Sequence, residues 1–296
     1  MPRPLTLMAV HAHPDDEATS TGGVLAKYAA EGVTTVLVTC TNGALGDSGS
    51  VRPGEADHRT EDVVAARAAE LAASCRILGV THSHQLGYLD SGMAGWAQND
   101  APGSFWTTPV DEAAARLGAL IEQHRPDVVL TYDAQGFYGH PDHIQAHRVT
   151  LAALDRVGSP AKLYFTTVRS SSMALFRRRM KEAGEQFPGT DQPAPDRPAD
   201  GQPAQGDQPN ADQPAPDDGP AFGVPDDQVG ADIDCTAFAQ AKYDSLAAHA
   251  SQVENIFFLK LPVPVFTELM GHEEFVRERP ARTDDTVEDD LFAGLR

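Results

Sequence analysis

The chain has 296 residues, 41% of them hydrophobic, enough for a substantial core in one large α/β domain or two small ones. Lys and Arg number 23 against 43 Asp and Glu, a formal charge of -20 that argues against partners held through phosphates, so neither nucleic acid nor an anionic membrane surface is expected. No stretch approaches the roughly 18 apolar residues of a membrane span, the run Leu5 to Val10 is too short for a secretory leader, and Cys40, Cys75 and Cys235 lack CxxC spacing; the expectation is a cytoplasmic protein with three reduced thiols.

From the N-terminus to about residue 170, β-rich runs alternate with segments of helical spacing, the pattern of a mostly parallel sheet flanked by crossover helices. Leu5 to Val10 reads as the first strand, continuing towards His13. A helix follows, with Leu25, Tyr28 and Ala29 at helical spacing and Gly32 as its stop. Thr34 to Thr41 is the second strand, rich in β-branched residues, and a Gly-containing loop runs from Asn42 to Gly54. Ala56 to Leu78 forms a long helix ended by Gly79, and a short strand follows around His84 to Leu86. Glu112 to Gln123 is helical, Asp127 to Tyr132 is a strand suited to burial on both faces, His143 to Arg156 is a helix and Leu163 to Val168 a strand.

The composition changes at 187–228, which holds ten of the 22 prolines, nine Asp and one basic residue, Arg197. The hexapeptide DQPAPD occurs there twice, at Asp191 to Asp196 and Asp212 to Asp217, and such a segment is expected to be a disordered insertion that cannot offset its ordering entropy. The division expected is therefore 1–186 as the main part of one domain, 187–228 as the insertion, 229–282 as late elements of the same domain, and 283–296 as an acidic tail. The late elements are a strand near Ile233, a helix from Ala237 to Ala250 and the apolar run Ile256 to Phe266, while Thr283 to Asp290 is expected to fray.

Two motifs carry chemistry. His13-Pro14-Asp15-Asp16-Glu17 falls where the first strand ends and the first helix begins, the crevice in which open parallel sheets bind ligands. Asp16 and Glu17 also suit the positive end of a helix macrodipole, and taken alone two acids capping a helix beside a packed histidine account for this motif equally well. The second motif shifts that balance: after the strand ending at Tyr132 come Asp133 and then Phe137-Tyr138-Gly139-His140-Pro141-Asp142-His143. Two histidines and a carboxylate around an open position suit catalytic zinc, a set that His13, Asp16 and His143 supply while leaving Asp15 free to take a proton from water. His147 lies four residues from His143 on the same helix face, so spacing leaves it open as a ligand. His11 alternates with His13 on the strand and reads as a hydrogen-bonded core histidine. His58, His82, His84, His124, His249 and His272 lie outside both motifs.

AHPDDE at Ala12 to Glu17 and GHPDH at Gly139 to His143 resemble the paired motifs of the PIG-L/LmbE-type zinc deacetylases, a likeness running through most of residues 5 to 170. The resemblance implies a Rossmann-like single domain, Zn2+ held by His13, Asp16 and His143 with Fe2+ as the alternative ion, Asp15 as general base, and His147 outside the ligand set. It implies for His140 polarisation of the carbonyl oxygen or protonation of the leaving amine. Asp90 to Gly95, Gln98 to Asp100 and Thr131 to Gly136 are most similar to the branch that hydrolyses the N-acetyl group of N-acetylglucosaminyl-inositol. By that likeness Arg67 and Asp90 contact sugar and Tyr138 is a mobile active-site tyrosine. The partner implied is a small acetylated amino sugar. Four features depart from the pattern: the loop Thr41 to Asp47, Phe137 where a glycine is expected, the DQP-rich insertion, and the C-terminal run around Phe275.

The mechanism expected is attack of a zinc-activated water on the acetamide carbon, with Asp15 accepting the proton and His140, if protonated, steadying the oxyanion and donating to the departing amine. The competing readings are an amidase acting on a thiol conjugate or antibiotic precursor, a two-metal phosphoesterase, and a non-catalytic binding module.

Overall fold

The computed structural model describes residues 3–182, 223–252 and 258–296. The expected insertion, apart from 223–228, lies outside the described residues, as do the first two residues of the apolar run at 256–266. Among the described residues five strands are parallel: β1 (Thr6–His11), β2 (Thr34–Thr41), β3 (His82–Tyr88), β4 (Val128–Thr131) and β5 (Lys162–Thr167). Two more, β6 (Ala231–Asp234) and β7 (His272–Arg279), join antiparallel to give one sheet in the order β3-β2-β1-β4-β5-β7-β6. The helices are α1 (Asp16–Ser20), α2 (Gly22–Ala30), α3 (Thr60–Leu78), α4 (Val110–His124), the single turn α5 (Gly136–Gly139), α6 (Pro141–Val157), α7 (Ser170–Glu182), α8 (Ala239–Ala248) and α9 (Val263–Met270).

The strand period of two divides the core cleanly. Met8, Val10, Val36, Val38, Val129 and Leu163 face one layer with Leu117 and Ile121 of α4 and Val149 and Ala153 of α6. Leu7, Ala9, Leu37, Val128, Leu130 and Tyr164 face the other, against Val24, Leu25 and Tyr28 of α2 and Leu71, Cys75 and Leu78 of α3. Burial on both faces is why β1 and β4 are unbroken apolar runs. Gly79, at φ 70, ends α3 in the left-handed conformation that the sequence anticipates. The chain leaves β1 towards β2 on one side and returns through β4 on the other. The crevice between the carboxyl ends of β1 and β4 is therefore the switch point of the sheet.

β7 carries the charged run HEEFVRER yet lies between two other strands, with Glu273 and Glu274 buried and paired rather than solvated. Glu273 bonds Lys242 Nζ at 2.8 Å and accepts from the amides of Gly23 and Val24 at the start of α2, at 2.7 and 2.8 Å. Gly23 has to be glycine there, since a Cβ would lie 2.6 Å from Cys235 Cβ and 2.9 Å from that carboxylate.

The acidic stretch before the C-terminus does not fray as expected. The backbone of Glu288 bonds Gly230 and Asp232, and its carboxylate gathers Lys162 at 3.0 Å, Arg277 at 2.9 Å and the Tyr164 hydroxyl. Asp290 accepts from Tyr28 at 3.0 Å, and Leu291 and Phe292 are fully buried against the α2 layer. Burial pushes the Glu288 carboxyl up, but Tyr164, Lys162 and Arg277 outweigh it and hold the group below its ordinary value of 4.5. Glu288→Ala is expected to cost about 2 kcal/mol in denaturant unfolding at pH 7. Because the folded-state pKa is depressed, this contribution is present above 4.5 and fades as pH falls through the folded value, so wild type and variant should converge in acid.

Candidate active site

Where β1 ends, the backbone turns abruptly at Asp15, whose φ of 127° is rare for a residue other than glycine. Three bonds hold the turn. Glu17 accepts the Asp15 amide at 2.9 Å, Arg67 reaches the Asp15 carboxylate at 3.1 Å, and the same guanidinium donates to the Pro14 carbonyl. Arg67 is buried on α3 and also donates to the Gly43 carbonyl at 2.9 Å, so it is built into the floor of the site.

The turn aims Asp16 back at the strand end. Its carboxylate accepts the His13 amide at 2.7 Å and lies 3.4 Å from His13 Nδ1 and 3.5 Å from His143 Nε2. His143 comes from the first turn of α6, which the second motif starts: Pro141 occupies the first turn and His140 is the N-cap, its Nδ1 accepting the Asp142 amide at 3.1 Å. One ligand-capable atom from each of His13, His140 and His143 lies within 4.8 Å of the others, and the same holds for His13, Asp90 and Asp142.

This donor set fits a divalent cation. His13 Nε2 donates to Asp142 Oδ2 at 3.1 Å, which leaves Nδ1 as the lone pair facing Asp16, and Asp142 is fixed in turn by the Ser91 amide and hydroxyl. Both ring nitrogens of His143 are buried without a hydrogen bond, while Tyr132 stacks on the ring at 4.1 Å between centroids. Burial alone would lower the His13 pKa, yet Asp90, Asp142 and Asp16 raise it well above the ordinary histidine value, an excess of negative charge that a cation would neutralise. His13, Asp16 and His143 are the residues that could hold the ion, with His140 in reach.

Burial pushes the Asp15 carboxyl up to about 6, against the pull of Arg67, and pushes His140 down to about 3 with His13 and His143 adding to the effect. With Nδ1 accepting the Asp142 amide, Nε2 is the ring nitrogen left to carry a proton.

Arg67, Asp90, Tyr138 and His140 all come to this crevice. Asp90 is buried, accepts the Leu45 and Gly92 amides and stands 3.7 Å from His13 Nε2. Tyr138 is 45% exposed at the mouth, its ring 5.0 Å from that of His143. Phe137, standing where a glycine was expected, adopts φ 64° and ψ -64°, a conformation glycine takes without steric cost, and Asp133 pins it by accepting its amide at 2.9 Å. His147 donates to or accepts from nothing in the crevice; its Nδ1 bonds the Tyr132 carbonyl at 2.9 Å and its ring packs on Phe165. His11 is buried between Thr21 and the Tyr132 hydroxyl.

Sequence reasoning gave no role in the site to Asp142, Glu17, Ser91 or His249, Glu17 being placed only at the helix terminus. The first two sit inside the motifs, and their neighbours offered the signal. Ser91 and His249 come from remote segments with no local pattern to mark them. His249 bonds Glu17 at 2.7 Å from a position 232 residues away.

Fold and site together define an α/β protein that carries, at the switch point of a parallel sheet, a histidine and carboxylate constellation able to hold a divalent metal. Residues 8–154 match the sequence model of the PIG-L family, GlcNAc-PI de-N-acetylase. Over 98% of its length the chain is 41% identical to a 1D-myo-inositol 2-acetamido-2-deoxy-alpha-D-glucopyranoside deacetylase of Streptomyces griseus, spanning 88% of that protein. It is 40% identical, again over 98%, to the protein of that name from Salinispora arenicola, spanning 91% of it. The chain belongs to the PIG-L family. Among solved structures, the N,N'-diacetylchitobiose deacetylase of Pyrococcus horikoshii shares the fold with a TM-score of 0.53 at 19% identity, over 92% of this chain and 83% of that one.

Proposed function

We propose that this protein is a metal-dependent N-deacetylase that hydrolyses the N-acetyl group of an N-acetylglucosamine-containing small molecule to the free amine and acetate, with N-acetylglucosaminyl-inositol as the substrate. The deacetylase class rests on the family and on near full-length relatives of that activity. The observation that carries the mechanism is the convergence of Asp15, Asp16, His13, His140 and His143 in one crevice. Zn2+ is the ion this reading assigns to His13, Asp16 and His143, with Fe2+ able to use the same donors. Such an ion supplies Lewis-acid polarisation of the amide carbonyl and makes a water more acidic.

The remaining work falls to the side chains. Asp15, poised near 6 by burial, accepts a proton from the attacking water. Arg67 keeps its carboxylate in place through a 3.1 Å contact. His140 donates its Nε2 proton as a hydrogen bond to the oxygen on which negative charge develops. As the carbon–nitrogen bond breaks, Asp15 returns its proton to the departing nitrogen and the carboxylate is restored; the amine leaves with acetic acid, whose remaining proton passes to solvent to give acetate. Asp90 and Arg67 line the inner wall for sugar hydroxyls, and Tyr138 closes the mouth. A cytoplasmic setting suits the three free, buried thiols of Cys40, Cys75 and Cys235. Among the described residues no helix is long and apolar enough to cross a membrane.

The test is amine release from a panel holding N-acetylglucosaminyl-inositol, N-acetylglucosamine, N,N'-diacetylchitobiose and a cysteine-acylated conjugate, with metal-replete and chelator-treated protein. Metal-dependent release, fastest from the inositol compound, is expected. Release only from the acylated conjugate would replace the deacetylase by the amidase, and release unaffected by chelation would remove the metal from the mechanism.

A further inference from the structure

Two aromatic residues in succession stand at the mouth of the crevice, and the backbone of the first is costly to hold. Phe137 has φ 64° and ψ -64°, the pair of a γ-turn that strains any residue with a Cβ. Burial does little to offset it, since the residue remains 36% exposed. The turn itself sits directly on the site: a Cβ on the preceding Gly136 would lie 2.8 Å from His143 Cβ and 2.8 Å from the Ile144 nitrogen. From that turn the Phe137 ring meets Tyr138 edge to face, with 6.3 Å between centroids and 83° between planes. Tyr138 in its turn stands edge to face against both histidines of the second motif, 5.0 Å from His143 and 6.1 Å from His140.

We infer that Phe137 is a positioning residue for the crevice: its ring braces Tyr138 against His140 and His143, and the strain of the turn is retained for the side chain it presents. The turn does not need that side chain. Asp133 Oδ1 accepts the Gln135 and Phe137 amides at 3.1 and 2.9 Å, and glycine would offer the same amide and reach the same φ without steric cost. What a glycine lacks is the ring. Tyr138 is 45% exposed, and an exposed side chain changes rotamer within nanoseconds, so its place against the two histidines has to be held by its neighbours. An edge-to-face partner removes part of that freedom before the substrate arrives, and ordering completed in the free protein no longer opposes binding. The kinetic consequence rests on the deacetylase reading; the brace itself does not.

The test uses the full chain labelled with 3-fluorotyrosine, in which the resonance of Tyr138, one of six tyrosines, is identified by its loss in Tyr138→Phe. In Phe137→Gly that resonance is expected to move towards the position of free fluorotyrosine while the other five stay, and the melting temperature is expected to hold or rise because the positive φ no longer carries a Cβ. A Tyr138 resonance unmoved by Phe137→Gly would overturn the brace, whatever the chain hydrolyses, and a lower melting temperature would overturn the strain argument by making Phe137 a packing residue. With metal-replete protein and N-acetylglucosaminyl-inositol, Phe137→Gly should lower kcat/KM about fivefold, mostly through KM, and Phe137→Tyr, which keeps the ring, should restore most of the loss. In a Tyr138→Ala background the same glycine substitution should cost nothing further; a loss that persists there would overturn action through Tyr138. Absence of amine release from wild type would count against the deacetylase reading and leave the resonance to decide the brace.

Discussion

Asp15→Asn is expected to lower kcat roughly 10³-fold while leaving one metal ion per chain. The substitution is informative because the position tolerates it. Asn keeps the volume of Asp and accepts positive φ better than most residues, so the turn at 127° need not relax. The Glu17 bond goes to the Asp15 backbone amide, and the Arg67 contact to an oxygen that Asn retains. The ligand-capable atoms of His13, Asp16 and His143 do not involve the Asp15 side chain. What disappears is the basic oxygen pair of a carboxylate that burial pushes up to about 6, whereas Asp16 and Asp90 are held below their ordinary value. Metal content by elemental analysis and turnover of the inositol conjugate form the paired measurement. Near-normal turnover would remove Asp15 from the role of base, and loss of metal would make it a ligand.

The parts of this protein that were legible in the sequence are those governed by local pattern. β2 was read from its β-branched run to the residue, and α3 was recognised by periodicity and Gly79, although its start at Thr60 comes later than Ala56 because the preceding loop folds back, with His58 bonding the Gly46 carbonyl at 2.8 Å. The switch-point placement followed from the position of the first motif at a strand end. Elements stabilised by distant partners were not legible. β7 is a charged run whose burial depends on Lys242, Arg169 and two backbone amides of α2, none near it in sequence. The tail was read as solvated because its acids are visible locally and their partners, Lys162, Tyr164 and Tyr28, are not. The same asymmetry runs through the crevice. The candidate metal ligands announce themselves by type and spacing, whereas the groups that orient them, Ser91 under Asp142 and His249 under Glu17, are supplied by other segments.

Glu17→Ala is expected to cost about 4 kcal/mol and to lower turnover at least tenfold in the protein that remains folded. Glu17 is completely buried, and each carboxylate oxygen is committed. Oε2 accepts the Asp15 amide; Oε1 accepts the Ser74 hydroxyl and His249 Nε2 at 2.7 Å, and Ser74 passes the network on to Ser245 at 2.7 Å. Through these contacts α8 and α3 are fastened to the turn that carries Asp15. Burial pushes Glu17 up, but His249, Ser74 and the Asp15 amide bring it below its ordinary 4.5; burial lowers His249, but Glu17 and Asp15 carry it above 6.5. The carboxylate's contribution is therefore present above 4.5 and the imidazolium's is complete below 6.5 and lost as pH rises through its folded value, so the pair stabilises most between those limits. Unfolding by urea at pH 6 and at pH 9 should show the larger difference between wild type and Glu17→Ala at pH 6. Glu17→Gln, which keeps an oxygen for the Asp15 amide but cannot form the ion pair, should recover more turnover than stability. Turnover no better than that of Glu17→Ala would mean that the charge, and not the hold on Asp15, is what the crevice requires.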